Sequence, residues 1–298
     1  MRAIPRRRFL AAATALGWVA CRTPSNPQSH AGVGTQLYGW TQYYHRAGRD
    51  FNSHLDEVLM AIRDCGYDYA EGFLDVNTPD NNTVFAHRLL KHGLPPVSLY
   101  TGGQLHDPAT AGQTVDRLLA AATICRQLGF TILNCNPDPV GRDKTDDELR
   151  TQAAALVQLG EGLQSLGMRL GIHHHTPAMQ NGAREFHHNF QHSPAGVVDF
   201  CYDVHWVFRG GVMPMDALRD YGARVVSWHL RQSRRQIWWE DLATGDIDYH
   251  AVARFAREHR LPARYTVELA LEDGTEITRS ARENHARSRA FVKEVFGV

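Results

Sequence analysis

The segment SLGMRLGIHHH, residues 165–175, sets the end of an amphipathic run, a glycine, a short apolar stretch and three histidines in succession. Glycine after a helical run is the favoured left-handed cap, and an apolar stretch following it at once reads as a buried strand. Side chains on a strand alternate between faces, so His173 and His175 share one face and His174 takes the other. At most two of the three serve one site. The same joint recurs in DCGYDYAEGF (64–73), KHGLPPVSLY (91–100), QLGFTILNCN (127–136) and DYGARVVSWHL (220–230). VGTQLYGW (33–40), VVDFCYDVHWV (197–207) and ARYTVELAL (263–271) complete eight strand candidates, each followed by room for a helix. The runs between them carry helical spacing, as in Leu55, Val58, Leu59 and Ile62, or Leu149, Ala153, Leu156 and Val157. Eight β/α units over about 265 residues have the size and rhythm of a (β/α)8 TIM barrel, an α/β fold that residues 31–298 form as one domain. No glycine-rich phosphate loop follows a strand candidate to favour a doubly wound open sheet.

Residues 1–30 read as a targeting segment and spacer. They hold five arginines and no acid, opening with MRAIPRRR and an apolar run of twelve, FLAAATALGWVA, too short to span a bilayer easily. RRRFL (6–10) resembles the twin-arginine export signal, and a Pro/Gly/Ser/Asn spacer follows. Cys21 closes the apolar run where a lipoprotein carries its lipid, although Trp18 stands where such sites usually have leucine. The expectation is an exported, periplasmic protein whose only membrane contact is a lipid on Cys21. Without this segment the chain has 27 basic and 32 acidic residues, a net charge of −5. That excess of acid argues against nucleic acid as a partner, which requires a basic surface. Cys65, Cys125, Cys135 and Cys201 sit in apolar stretches without metal-like spacing and read as buried free thiols.

A (β/α)8 barrel gathers its chemistry at the C-terminal ends of its strands. Those ends read Trp40 and Tyr43, Glu71, Tyr100, Asn134 and Asn136, His173 and His175, Asp203 and His205, His229 and Arg231, then Glu268. Burying so many polar groups without partners is costly, so they have a common purpose at that end. His173, Asp203, His229 and Glu268 come from consecutive strands, the fifth to the eighth. Two imidazoles and two carboxylates suit one divalent ion, Mn²⁺, Fe²⁺, Co²⁺, Zn²⁺ or Mg²⁺. His187 and His188 in REFHHNFQH read as surface or lid residues after the fifth strand. Arg184, Glu185, Asp246 and Asp248 read as loop-closing and capping groups.

The landmarks YAEGF, LGIHHH, CYDVHW, SWHLRQS, GDIDY and VEL resemble those of the xylose-isomerase-like TIM-barrel superfamily of sugar (phosphate) isomerases and epimerases, in particular its exported bacterial branch. The resemblance spans roughly residues 33–297. It implies a single divalent metal held by Glu, Asp, His and Glu, of which the last three fall on Asp203, His229 and Glu268. His173 stands where most relatives have glutamate, and Gln232 where many have aspartate. The implied reaction removes a proton beside a carbonyl of a small carbohydrate, giving an enediolate that is epimerised or isomerised. Glu268 is the candidate base, with His175 or Glu71 as the second acid/base. His205 or Arg231 would hold substrate oxygens, and Trp40 and Trp206 would stack on a sugar face. Expulsion of a β-oxygen would instead make the enzyme a lyase or dehydratase on a keto-sugar or keto-glycoside. A non-catalytic exported carbohydrate-binding barrel is a further alternative. The endonuclease branch of the same fold, with its polynuclear zinc and basic face, fits the acidic balance poorly.

Overall fold

The computed structural model describes residues 32–298, so the export and lipidation expectations for residues 1–30 lie outside the described residues. In the opening segment, α5 (Asp146–Ser165) ends at Leu166, Gly167 takes a φ of 73°, and β5 (Arg169–Ile172) begins. Glycine adopts this left-handed conformation without the clash a Cβ would bring. Gly66, Gly93 and Gly129 repeat the device, with φ of 84°, 69° and 111°. Gly222 is the exception, with φ −56° at the start of a 3₁₀ turn. A Cβ there would stand 3.3 Å from the Phe255 ring, so that glycine serves close packing.

The other strands are β1 (Gly32–Gln36), β2 (Tyr69–Phe73), β3 (Ser98–Gly103), β4 (Ile132–Pro137), β6 (Asp199–Asp203), β7 (Val225–Leu230), β8 (Ser233–Arg234), β9 (Ile237–Trp238) and β10 (Arg264–Val267). β8 and β9 form a two-stranded antiparallel ribbon just after β7. The other eight strands close a barrel in the order β1-β10-β7-β6-β5-β4-β3-β2, each neighbour parallel. This is the expected (β/α)8 TIM barrel. The ribbon is an addition that the sequence pattern does not announce.

Around the barrel lie α1 (Leu37–Arg46), α2 (Leu55–Asp64), α3 (Asp80–Lys91), α4 (Ala111–Gln127), α5, α6 (Gln180–Gln191), α7 (Val204–Arg209), α8 (Pro214–Tyr221), α9 (Tyr249–Glu258) and α10 (Ala281–Phe296). Among the described residues no helix is long and apolar enough to cross a membrane. α5 starts with a reciprocal capping box between Thr145 and Glu148, and buries Leu149, Ala153, Leu156, Leu159 and Leu163 on one face. Each such leucine contributes about 1.5–3 kcal/mol by leaving water. His174 lies in this barrel–helix layer, buried against the rings of Phe186, Phe190 and Phe200.

Inside the barrel the packing is polar. Ser98 Oγ and Asn134 Nδ2 donate to Glu71 Oε2 at 2.7 and 2.8 Å, and Ser227 Oγ donates to Asn134 Oδ1 at 2.8 Å. These side chains come from β2, β3, β4 and β7, so their bonds cross the lumen. Cys125, Cys135 and Cys201 are buried free thiols, while Cys65 is half-buried.

Candidate metal centre

Strand geometry delivers four donors to one end of the barrel. Asp203 is the last residue of β6 and stands in register with His229 of β7. His173 follows β5 directly, its amide donating to Cys135 O at 2.9 Å, and Glu268 follows β10, its amide donating to Leu230 O at 3.0 Å. Each side chain offers a ligand atom, and these atoms all lie within 4.8 Å of one another. His173 and His229 are 1% exposed, Asp203 2% and Glu268 8%. The cluster is therefore buried with one carboxylate still open to the mouth.

His229 is held at both ring nitrogens. Nε2 lies 2.8 Å from Glu71 Oε1 and Nδ1 lies 2.8 Å from Glu268 Oε2. Neither contact has hydrogen-bond alignment, and all four atoms are buried without a properly aligned partner. Of the two contacts only that with Glu268 joins two of the candidate ligands, and close, misaligned donor atoms of that kind are what convergence on a shared third atom produces; the borderline N/O set suits a divalent ion. The residues present fit such an ion. Burial alone would lower the pKa of His229, but Cys201, Glu71 and Glu268 together hold it well above the usual histidine range.

Arg231 binds two members of the cluster, Asp203 Oδ2 at 2.7 Å and Glu268 Oε2 at 3.4 Å. Its guanidinium lies over the rings of Trp206 and Trp238, 5.3 and 4.5 Å from their centroids. Burial would raise the Asp203 pKa, but Arg231 and His173 outweigh it and hold the carboxyl well below the usual range. Arg231 and His229 likewise overcome burial at Glu268 and bring it to about 2. Asp203 has a further task, since its Oδ1 accepts from Trp206 N at 2.8 Å and caps α7.

Several expected residues are placed with the cluster and others are not. The His175 ring lies 4.9 Å from that of His173 and 5.0 Å from Trp206, and its Nε2 is 3.5 Å from Tyr100 OH. Burial and His173 pull its pKa down to about 3, so it is neutral at ordinary pH. His205 is fully buried, with its ring 5.8 Å from Trp238, and burial and Arg231 bring it to about 3. Glu71 corrects the expectation of a second acid/base facing substrate. It is fully buried behind His229 and its oxygens are engaged by Ser98, Asn134 and that imidazole. Trp40 corrects the expectation of a sugar platform. It is 2% exposed, stacked on His285 at 4.2 Å, with its Nε1 donating to Thr35 Oγ1.

Gln232 turns away from the cluster, its amide donating to Ala243 O and Ile247 O. Trp238, which sequence reasoning missed, closes over Arg231 from the ribbon. The WW pair in RRQIWW is the one signal that marked it. Asp246 anchors that ribbon through Ser233 Oγ and the Arg235 and Gln236 amides, and Asp248 caps α9, as expected of closing and capping groups.

Solved structures share this architecture. A sugar phosphate isomerase/epimerase from Parabacteroides distasonis aligns at 17% identity and a TM-score of 0.72, over 92% of this chain and 97% of its own. A D-allulose 3-epimerase from Methylomonas sp., solved in complex with D-allulose, aligns at 16% identity and 0.70, over 89% and 97%. The IOLI protein, solved with a bound zinc atom, aligns at 14% identity and 0.68, over 89% and 98%. At these identities the likeness establishes the fold. No curated protein matches the chain. The xylose isomerase-like TIM barrel model matches residues 59–294, most of the barrel and all four strand ends that carry the cluster, and the chain belongs to that family.

Proposed function

We propose that the chain is a divalent-metal-dependent isomerase or epimerase acting on a sugar, keto-sugar or cyclitol through an enediolate. The observation that carries this reading is the convergence of His173, Asp203, His229 and Glu268 within 4.8 Å at the C-terminal end of the barrel. These four residues would hold the ion, whose positive charge stabilises an enediolate when bound. Glu268, the most exposed of the four, takes the proton from the carbon beside the substrate carbonyl. His175 and Tyr100 border the same space and orient substrate oxygens. Arg231 steadies Asp203 and Glu268 as carboxylates, and Trp206 and Trp238 shield it from water. The RRRFL segment supports placing this activity outside the cytoplasm.

A second reading, a lyase or dehydratase, is favoured by the asymmetry of the site. With histidine at 173, Glu71 buried behind His229 and Asp203 held by Arg231, Glu268 is the most exposed carboxylate of the cluster. One base suits elimination better than a symmetric two-carboxylate epimerisation. Metal content of the folded protein beside His229→Ala is the primary test, with equal metal in both refuting the site. Incubating keto-sugars and keto-glycosides in D₂O then reads the chemistry. Deuterium beside the carbonyl is expected, and its absence with every compound would refute an enediolate enzyme.

A further inference from the structure

The histidines of REFHHNFQH play no part in the barrel mouth. His187 Nδ1 is bonded to Tyr221 OH at 2.8 Å, which accounts for it. His188 and His192 are different. They stand one turn apart at the end of α6, beside a groove between α5 and α6 that is also lined by Asp146 and Arg184. Their ring centroids are 3.9 Å apart with the planes at 65°, so the rings are not stacked. Instead the two Nδ1 atoms face each other at 3.3 Å. Two nitrogens on one tetrahedral zinc, each at 2.0–2.1 Å, are separated by about 3.3–3.4 Å. The pair already has the spacing of two ligands on one ion.

We propose that His188 and His192 form a peripheral site for a divalent transition metal of the zinc type, separate from the barrel cluster. The groove leaves the remaining coordination positions to water. The two arginines lining the groove do not block it electrostatically, because Arg184 is tied to Asp146 and to the Lys144 carbonyl and Arg150 is paired with Asp147. His192 Nδ1 also lies 3.1 Å from the His188 carbonyl, to which it donates in the metal-free protein. Coordination through that nitrogen releases its proton and breaks that bond, so affinity falls as pH falls. A metal there would clip the last turn of α6, whose first turn contains Asn181, Gly182 and Ala183 at positive φ.

The test titrates Zn²⁺ into chelator-treated, untagged full chain and into His192→Ala, His188→Asn and His229→Ala. His192 is exposed, so its variant leaves the core intact, and circular dichroism checks the fold. The expected result is one equivalent fewer in His192→Ala and in His188→Asn than in the wild type, with the remaining equivalent retained. Unchanged zinc stoichiometry and affinity in both variants would overturn the proposal. The two sites separate cleanly. Zinc kept in His229→Ala but lost in His192→Ala supports the peripheral site and refutes the barrel one. Zinc lost in His229→Ala alone does the reverse.

Discussion

Glu71 and His173 show how a single side chain gains meaning from its neighbours. Glu71 follows an apolar run in β2, which is equally consistent with an acid facing substrate. Its actual partner is the far nitrogen of His229, 2.8 Å away, and this makes it a positioning residue. A carboxylate behind a metal-binding imidazole sets its tautomer and raises its basicity, and its loss typically costs 10–100-fold in metal affinity. In Glu71→Gln the amide oxygen still accepts from Ser98 and Asn134, but an N–H then faces His229 Nε2. His229 must move its proton to Nδ1, against Glu268. The barrel should stay folded while zinc affinity, measured by competition with a chromophoric chelator, falls roughly 10-fold or more. Unchanged affinity would show that Glu71 does not orient His229. His173 was legible as a strand-end donor from alternation alone, and so was the outward turn of His174 into the barrel–helix layer. Trp40 was not legible, because its place against His285 depends on α10, more than 230 residues further along the chain.

Among the elements, β5 is under close steric control. A Cβ on Gly171 would stand 2.6 Å from Asn134 Oδ1 and 3.1 Å from Cys201 Cβ. Neither neighbour is free to retreat, since Asn134 is tied to Glu71 and Ser227 inside the lumen. Gly171→Ala should therefore cost about 1–3 kcal/mol by overpacking, read from the urea unfolding midpoint. A midpoint equal to that of the wild type would mean that the lumen can relax. The helix–glycine–strand joints were readable because the signals for each are local: periodicity, a cap and a short apolar run. The ribbon of β8 and β9 was not readable. Its four residues are too few to show a period, and Asp246 and Glu272 hold it in place through contacts ten or more residues away.

At the scale of the whole molecule, buried histidines set the response to acid. His285 is fully buried between Trp40 and Tyr67, and burial lowers its pKa to about 3. In the unfolded chain it takes a proton near pH 6.5, whereas in the native state it stays neutral. The unfolded state therefore binds more protons between those values, and stability falls as pH drops below about 6.5. One such histidine costs about 1.4 kcal/mol at pH 5.5. His174, His175 and His205 act in the same direction. His229 acts in the opposite one, but its raised pKa means its contribution is already in place near pH 6.5. The carboxylates with lowered pKa, Asp203 and Glu268, weaken the fold only below about pH 4, where the unfolded chain protonates them. The melting temperature of the metal-free protein should thus fall between pH 7 and 5, and less steeply in His285→Phe. A flat profile in the wild type would contradict the neutral burial of these rings. By itself the sequence determined the eight β/α units, the inward and outward faces of each strand, and the four donors at successive strand ends, because all of these follow from interactions within a few residues. Only the tertiary structure decided which nitrogen of His229 meets Glu268 and which meets Glu71, that Trp40 is a core ring, and that Trp238 covers Arg231. Those outcomes depend on the register of closed strands and on contacts between distant segments, which no local pattern encodes.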